Sequence, residues 1–179
     1  MPIIESYRYT RPDIQSHRDW LFVFGDNLQG RGYGGQAKEA RGEPNAVGIV
    51  TKRLPSMAEG AFLQDSDVLR VTPLWQQAFS KINLHLMGGG VVIWPSEGVG
   101  TGRAQLPARA PGLWQELNLF IAAMKSVAEA NGQIGFGKAL GEPSITCPRC
   151  GLTSYNGNDI RERYCGNCHM WHDQMEGGQ

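Results

Sequence analysis

Short uninterrupted apolar runs alternate along this chain with stretches whose apolar positions recur at helical spacing. Residues 20 to 24 (WLFVF) and 91 to 94 (VVIW) are rich in β-branched and aromatic side chains and flanked by glycine, which predicts buried strands. Residues 46 to 51 (AVGIVT) predict a third. Between the last two, Trp75, Phe79, Ile82 and Leu86 fall on one face of a helix, with Pro73 suited to its first turn. Leu113, Leu117, Phe120, Ile121, Met124 and Ala128 repeat that pattern over a longer helix, which follows Pro111 and stops near Asn131-Gly132. Strands alternating with helices predict a layered α/β domain whose ligand site lies beyond the carboxyl ends of the strands.

Glycine is the residue that departs furthest from ordinary usage, at 24 of 179 positions, nearly twice the roughly 7% of an average protein. The glycines cluster. One group is Gly25, Gly30, Gly32, Gly34 and Gly35, a second is Gly88 to Gly90, and a third is Gly98, Gly100 and Gly102. The middle group reads as a helix stop leading into a strand. The outer two each leave an apolar run and precede a helical pattern, the arrangement in which backbone without side chains can approach a ligand closely.

Lys plus Arg equals Asp plus Glu at 17 each, so the formal net charge is zero, which argues against a protein that works by neutralising phosphate backbones. No apolar run approaches the roughly 20 residues of a membrane span, and the opening MPIIESYRYT lacks a signal-peptide layout. A cytoplasmic protein without membrane contact is expected.

The four cysteines lie in CPRC and CGNC, as Cys147, Cys150, Cys165 and Cys168, with 14 residues between the knuckles. This spacing predicts one structural Zn²⁺ held by four thiolates, the metal replacing the core that so short a segment cannot build. A closed site of four cysteines leaves no position for water. His169 and His172 are expected as surface histidines flanking a buried Trp171. From Pro143 onward Arg149, Arg161 and Arg163 face Asp159, Glu162, Asp173 and Glu176, and four thiolates on Zn²⁺ add negative charge. Nucleic acid is therefore a poorer partner for the module than protein.

No GxxxxGK[ST] is present, and Gly30 to Gly35 match GxGxxG without the acidic residue a dinucleotide fold needs about 20 residues on, where Thr51-Lys52-Arg53 stands. Two glycine loops that pinch a diphosphate between them fit better. On that point the chain resembles the macro domains, which bind ADP-ribose. Asn27 to Ala37 (NLQGRGYGGQA) is similar to the macro pattern of an Asn ending a strand, a glycine-rich loop and a helix. Trp94 to Gly102 (WPSEGVGTG) resembles the second macro loop, and Ile49-Val50-Thr51-Lys52 resembles the Thr-Lys strand of the branch typified by terminal ADP-ribose protein glycohydrolase. The resemblance covers roughly residues 5 to 135.

The resemblance implies a three-layer domain with a mixed sheet between helices. It implies a ligand site made of Gly25, Asp26, Asn27, Gly30, Gly32, Gly34, Gly35, Gln36, Thr51, Ser96, Gly98, Val99, Gly100, Thr101 and Gly102, with Asn27 or Asp26 on the distal ribose. In the glycohydrolase branch the lysine attacks the anomeric carbon, so Lys52 is the matching nucleophile. That branch's second-loop Asp has no counterpart in Gly102-Arg103-Ala104, which leaves Glu97 or Asp26 to supply a carboxylate, and its adenine-reading Asp has Asp13 as the nearest match. Lys52 read from the residues alone is a strand-end lysine that contacts solvent or phosphate, and Arg103 and Arg109 flank the second loop.

The expected organisation is a macro-like nucleotide-binding domain over residues 1–137, a linker over 138–145 and a zinc ribbon over 146–174. The expected function is binding of ADP-ribose or a related nucleotide diphosphate, with hydrolysis of ADP-ribosyl linkages as an open extension. The competing class is a non-enzymatic adaptor whose zinc ribbon binds a protein or nucleic-acid partner.

Overall fold

The computed structural model describes residues 3–130, 145–150, 153–154, 161–165 and 167–172. The chain divides into two compact units, Met1–Leu140 and Gly141–Gln179. In the first, the elements run β1 (Ile3–Ser6), α1 (Arg11–Ser16), β2 (Trp20–Asn27), α2 (Ala37–Ala40), β3 (Ala46–Lys52), α3 (Val68–Met87), β4 (Val91–Pro95), α4 (Leu106–Arg109) and α5 (Pro111–Ala130). The second unit contains two short hairpin pairings, β5 (Ile145–Thr146) with β6 (Thr153–Ser154) and β7 (Tyr164–Cys165) with β8 (Met170–Trp171).

The strands of the first unit form one sheet in the order β1-β4-β2-β3. All three pairings are parallel, so the expected mixed sheet is corrected, among the described residues, to a parallel one. The reason is visible in the connections: each pair of successive strands is separated by a helix, which carries the chain back to the starting edge. One face carries α3 and α5, whose Trp75, Phe79, Ile82, Leu113, Leu117 and Met124 pack on Leu21, Val23, Ile49, Val92 and Trp94. The other face carries α1 and α2, where Ile14, Ala37 and Ala40 pack with Tyr9 on Phe22, Phe24 and Ile93. Helices on both faces explain why WLFVF and VVIW are apolar without alternation.

One boundary differs from the sequence reading, and two short elements escape it. Helix α3 begins at Val68, five residues before Pro73, because Val71 lies on the same buried face as Trp75 and a turn of 3₁₀ helix at Asp65–Asp67 leads into it. Pro73 removes one early hydrogen bond, to the carbonyl of Leu69, a residue 89% exposed and open to water. The short β1 and α1 carry no strong period; α1 is set instead by Thr10, whose hydroxyl and backbone exchange hydrogen bonds with Asp13 in a capping box. The linker over 138–145 lies outside the described residues, apart from Ile145. Among the described residues no helix is long and apolar enough to cross a membrane.

One detail of the pairing shapes the carboxyl edge of the sheet. β2 and β4 pair only at Trp20–Val91, Leu21–Val92 and Phe22–Ile93. Beyond that point β4 stays with β1 as far as Ser6–Pro95, and β2 stays with β3 as far as Asn27–Lys52. The sheet is thus split at its carboxyl edge, and Val23, the first residue past the split, gives its carbonyl to the buried Tyr9 hydroxyl at 2.7 Å.

Candidate functional site

A crevice of about 510 Å³ opens where the sheet splits. Its walls are the segments that leave β2 and β4. The β2 loop runs to α2 on one face of the sheet, and the β4 loop runs to α4 and α5 on the other. Adjacent parallel strands whose loops depart in opposite directions make the crevice in which open α/β sheets hold their ligands. Most of the residues expected at the site meet here: Gly25, Asp26, Asn27, Gly32, Gly34, Gly35, Gln36, Thr51, Lys52, Glu97, Gly98, Val99, Gly100, Thr101 and Gly102. Gly30 and Ser96 are not among the lining residues. Gly30 closes a turn onto the Asn27 carbonyl, and the Ser96 amide continues toward the Ser6 carbonyl of β1.

Glycine is required at defined points of these loops. Gly32 has φ +88° and Gly100 φ +89°, conformations that L side chains rarely adopt. A Cβ on Gly32 would stand 2.6 Å from the Cβ of Pro55, so the β2 loop rests directly on the segment after β3. A Cβ on Gly34 would lie 3.6 Å from the Arg103 guanidinium, which brings the β4 loop to the same place. Among the described residues, no protein acceptor takes the backbone N–H groups of residues 31 to 35 or 99 to 104. Two runs of undonated amides therefore border one crevice.

Several side chains expected to contact ligand are engaged within the protein. The Asp26 carboxylate is gripped by Arg41, Nη1 to Oδ2 at 3.0 Å and Nη2 to Oδ1 at 2.5 Å, and Arg41 Nε also donates to the Gly32 carbonyl at 3.2 Å. Asp26 is thus a brace for the loop and not a free carboxylate. Asn27 is similarly occupied, its Nδ2 donating to the Arg31 carbonyl at 2.7 Å and its Oδ1 accepting from the Gln29 amide at 3.1 Å. Thr51 is buried and donates to the Asp26 carbonyl, and Gln36 donates to the Tyr9 carbonyl. Asp13 caps α1 and does not line the crevice. Glu97 is exposed at the rim, where its carbonyl accepts the Thr101 hydroxyl at 2.5 Å.

Lys52 ends β3 inside the crevice. Its ammonium donates to the Ser56 carbonyl and to Met57 Sδ, and lies 4.6 Å from the centre of the Phe62 ring. Arg109 stacks on the same ring at 4.3 Å and pairs with Glu59. Partial burial, and after it the positive charge of Arg103, hold the Lys52 pKa below its ordinary value. The sequence reading missed the exposed aromatics Tyr7 and Tyr33, the brace Arg41 and the segment Leu54 to Met57, all of which line the crevice. Arg31 and Arg41, beside the first glycine group, were available in the sequence as a signal.

In the second unit the four cysteine sulfurs lie within 4.8 Å of one another, with Cys147 and Cys168 3.9 Å apart and Cys150 and Cys165 3.7 Å apart. A tetrahedral ion with 2.3 Å metal–sulfur bonds has its sulfurs about 3.8 Å apart, so the donor set fits one metal ion. Hydrogen bonding with Cys150, followed by burial and the remaining thiols, pushes the Cys168 thiol up to about 12. Such crowded thiols ionise together only around a cation. His169 is exposed as expected, but the other two residues reverse the expectation: His172 is 3% exposed and Trp171 is 49% exposed. The cause is the His172 amide, which donates to the Arg163 carbonyl at 2.7 Å and draws that residue inward.

The first unit is a parallel α/β fold with its crevice at the split carboxyl edge. Residues 4–119 match the profile of a family described as a family of unknown function (DUF7831), and the chain belongs to that family. The matched span contains both glycine loops and Lys52 and ends before the cysteine knuckles. No curated protein and no solved structure matches the chain.

Proposed function

We propose that the crevice binds ADP-ribose or a related nucleotide diphosphate, in the manner the resemblance to macro domains implies. The observation that carries this reading is the pair of glycine loops on neighbouring strands, each with a run of backbone N–H groups that no acceptor among the described residues takes. Oriented amides in such turns hold phosphate oxygens without requiring an excess of Lys or Arg over the whole chain. The exposed rings of Tyr7 and Tyr33 at the rim offer apolar faces to a base or a ribose.

The geometry favours binding over hydrolysis. Of the two carboxylates considered for chemistry, Asp26 is locked by Arg41 and Glu97 stands at the rim. Calorimetric titration of the full chain with ADP-ribose tests the reading: saturable heat is expected, and a flat titration at millimolar ligand sinks it. The adaptor reading would then take its place, supported by Trp171, which packs against Tyr164 at 5.3 Å yet remains half-exposed. For the cysteine cluster we propose structural Zn²⁺, since four thiolates, with no further donor grouped with them among the described residues, suit that ion.

A further inference from the structure

The whole chain is formally neutral, but the crevice is not. Of its acidic lining residues, Asp26 is neutralised by Arg41, which leaves Glu97 alone. Against it stand Arg31, Lys52 and Arg103, none of which pairs with a carboxylate among the described residues. The partners that Lys52 has, the Ser56 carbonyl, Met57 sulfur and Phe62 ring, are all uncharged. The Arg103 guanidinium lies beside Gly34, on the opposite glycine loop.

We infer that Lys52 and Arg103, reaching the crevice from β3 and from the β4 loop, form a counter-charge site for the phosphates of the ligand. The inference rests on the nucleotide reading and deepens it, by naming the part of the ligand that these two residues hold.

Two like charges brought together repel, and among the described residues neither is paired with a carboxylate. The effect of Arg103 is already felt at Lys52, whose pKa it lowers after burial. An anion between them converts that repulsion into two attractive contacts. The uncompensated charges of the crevice sum to two positive units, which match the two negative charges of a diphosphate diester. Charge focused in a cleft of a neutral protein also favours capture of an anion from solution. An ammonium in this role stays protonated, so Lys52 is a binding residue and not the nucleophile.

The test is calorimetry on the full chain with two probes, ADP-ribose and inorganic pyrophosphate, across a range of salt. It compares wild type with Lys52→Gln, Arg103→Gln, Lys52→Arg and Arg103→Lys. Both side chains reach solvent at the crevice, and unchanged thermal melting confirms that each variant is folded. Each Gln variant is expected to weaken ADP-ribose at least tenfold and to flatten the salt dependence, while the charge-conserving variants stay within about threefold. Gln variants that bind within twofold of wild type, or with the same salt slope, overturn the inference and leave the nucleotide reading standing. Pyrophosphate binding lost in the Gln variants, without any ADP-ribose binding to wild type, supports the anion site and overturns the nucleotide reading. Failure of both probes on wild type overturns both.

Discussion

The Tyr9 hydroxyl donates to the Val23 carbonyl at 2.7 Å, one residue past the last pair between β2 and β4. The tyrosine thus takes the place of a strand partner where the sheet divides. Tyr9→Phe removes the donor and leaves a buried carbonyl unmet, a loss of about 1–2 kcal/mol at neutral pH. Burial raises the Tyr9 pKa above its ordinary value. Between about pH 10 and the raised value, the folded state keeps a proton the unfolded state has lost, so this tyrosine's contribution falls as pH rises past the unfolded pKa. Denaturant unfolding at pH 7 and at pH 10.5 checks both parts: the gap between wild type and Tyr9→Phe is expected to narrow at the higher pH.

Arg41 connects the end of β2 to the glycine loop through Asp26 and the Gly32 carbonyl, with both charged side chains less than a fifth exposed. Arg41→Ala leaves Asp26 partly buried without its cation and is expected to cost about 3 kcal/mol in urea unfolding. Arg41→Lys recovers only part of this, because an ammonium cannot reproduce the two-point grip. Equal stability of the Lys variant and wild type would contradict the bracing role.

Gly32 and Gly35 separate backbone strain from crowding. Both have positive φ, but a Cβ at Gly35 meets nothing within 4 Å whereas one at Gly32 runs into Pro55. Gly35→Ala is expected to cost about 1 kcal/mol, and Gly32→Ala about 3 kcal/mol, since the clash adds to the strain. Chemical denaturation of the two variants gives the comparison, and in a Pro55→Gly background, which lacks the Cβ that is struck, the added cost of Gly32→Ala should shrink toward that of Gly35→Ala.

The cysteine cluster is expected to hold one metal ion per chain, measurable by elemental analysis. Chelation or Cys150→Ser should release it and unfold the second unit, while the near-ultraviolet signal of Trp75, a core residue of the first unit, persists. A single transition that takes both units together would refute that separation.

What the sequence made legible was what side-chain period and spacing encode. The apolar runs at 20–24, 46–51 and 91–94 are strands, and the stripe from Trp75 to Leu86 is a buried helix face. The glycines of the outer two groups, Gly30 apart, line one crevice, and at Gly32, Gly35, Gly98 and Gly100 the positive φ admits few other residues. Side-chain roles there were much less legible. That Asp26 faces Arg41, 15 positions along the chain, depends on how the loop folds back, and no local pattern states it. The parallel direction of the three pairings in the four-stranded sheet was similarly hidden, since period reports burial and not direction. His172 and Trp171 exchanged places because a single backbone hydrogen bond, His172 to Arg163, decides which of two neighbours turns inward.

The parting of β2 and β4 after Phe22 and Ile93 fixes the floor of the crevice at a backbone position. Trimming or enlarging core side chains can shift such a floor by fractions of an ångström. Deepening it by one step means breaking a further rung of the ladder, and sliding a strand by one residue to compensate would exchange the side chains that pack against the two helix layers. Depth is therefore quantised in whole residues of strand, while width and charge above it vary freely with the loops. Selection acting on this scaffold can retune what the mouth grips far more readily than how far a ligand descends.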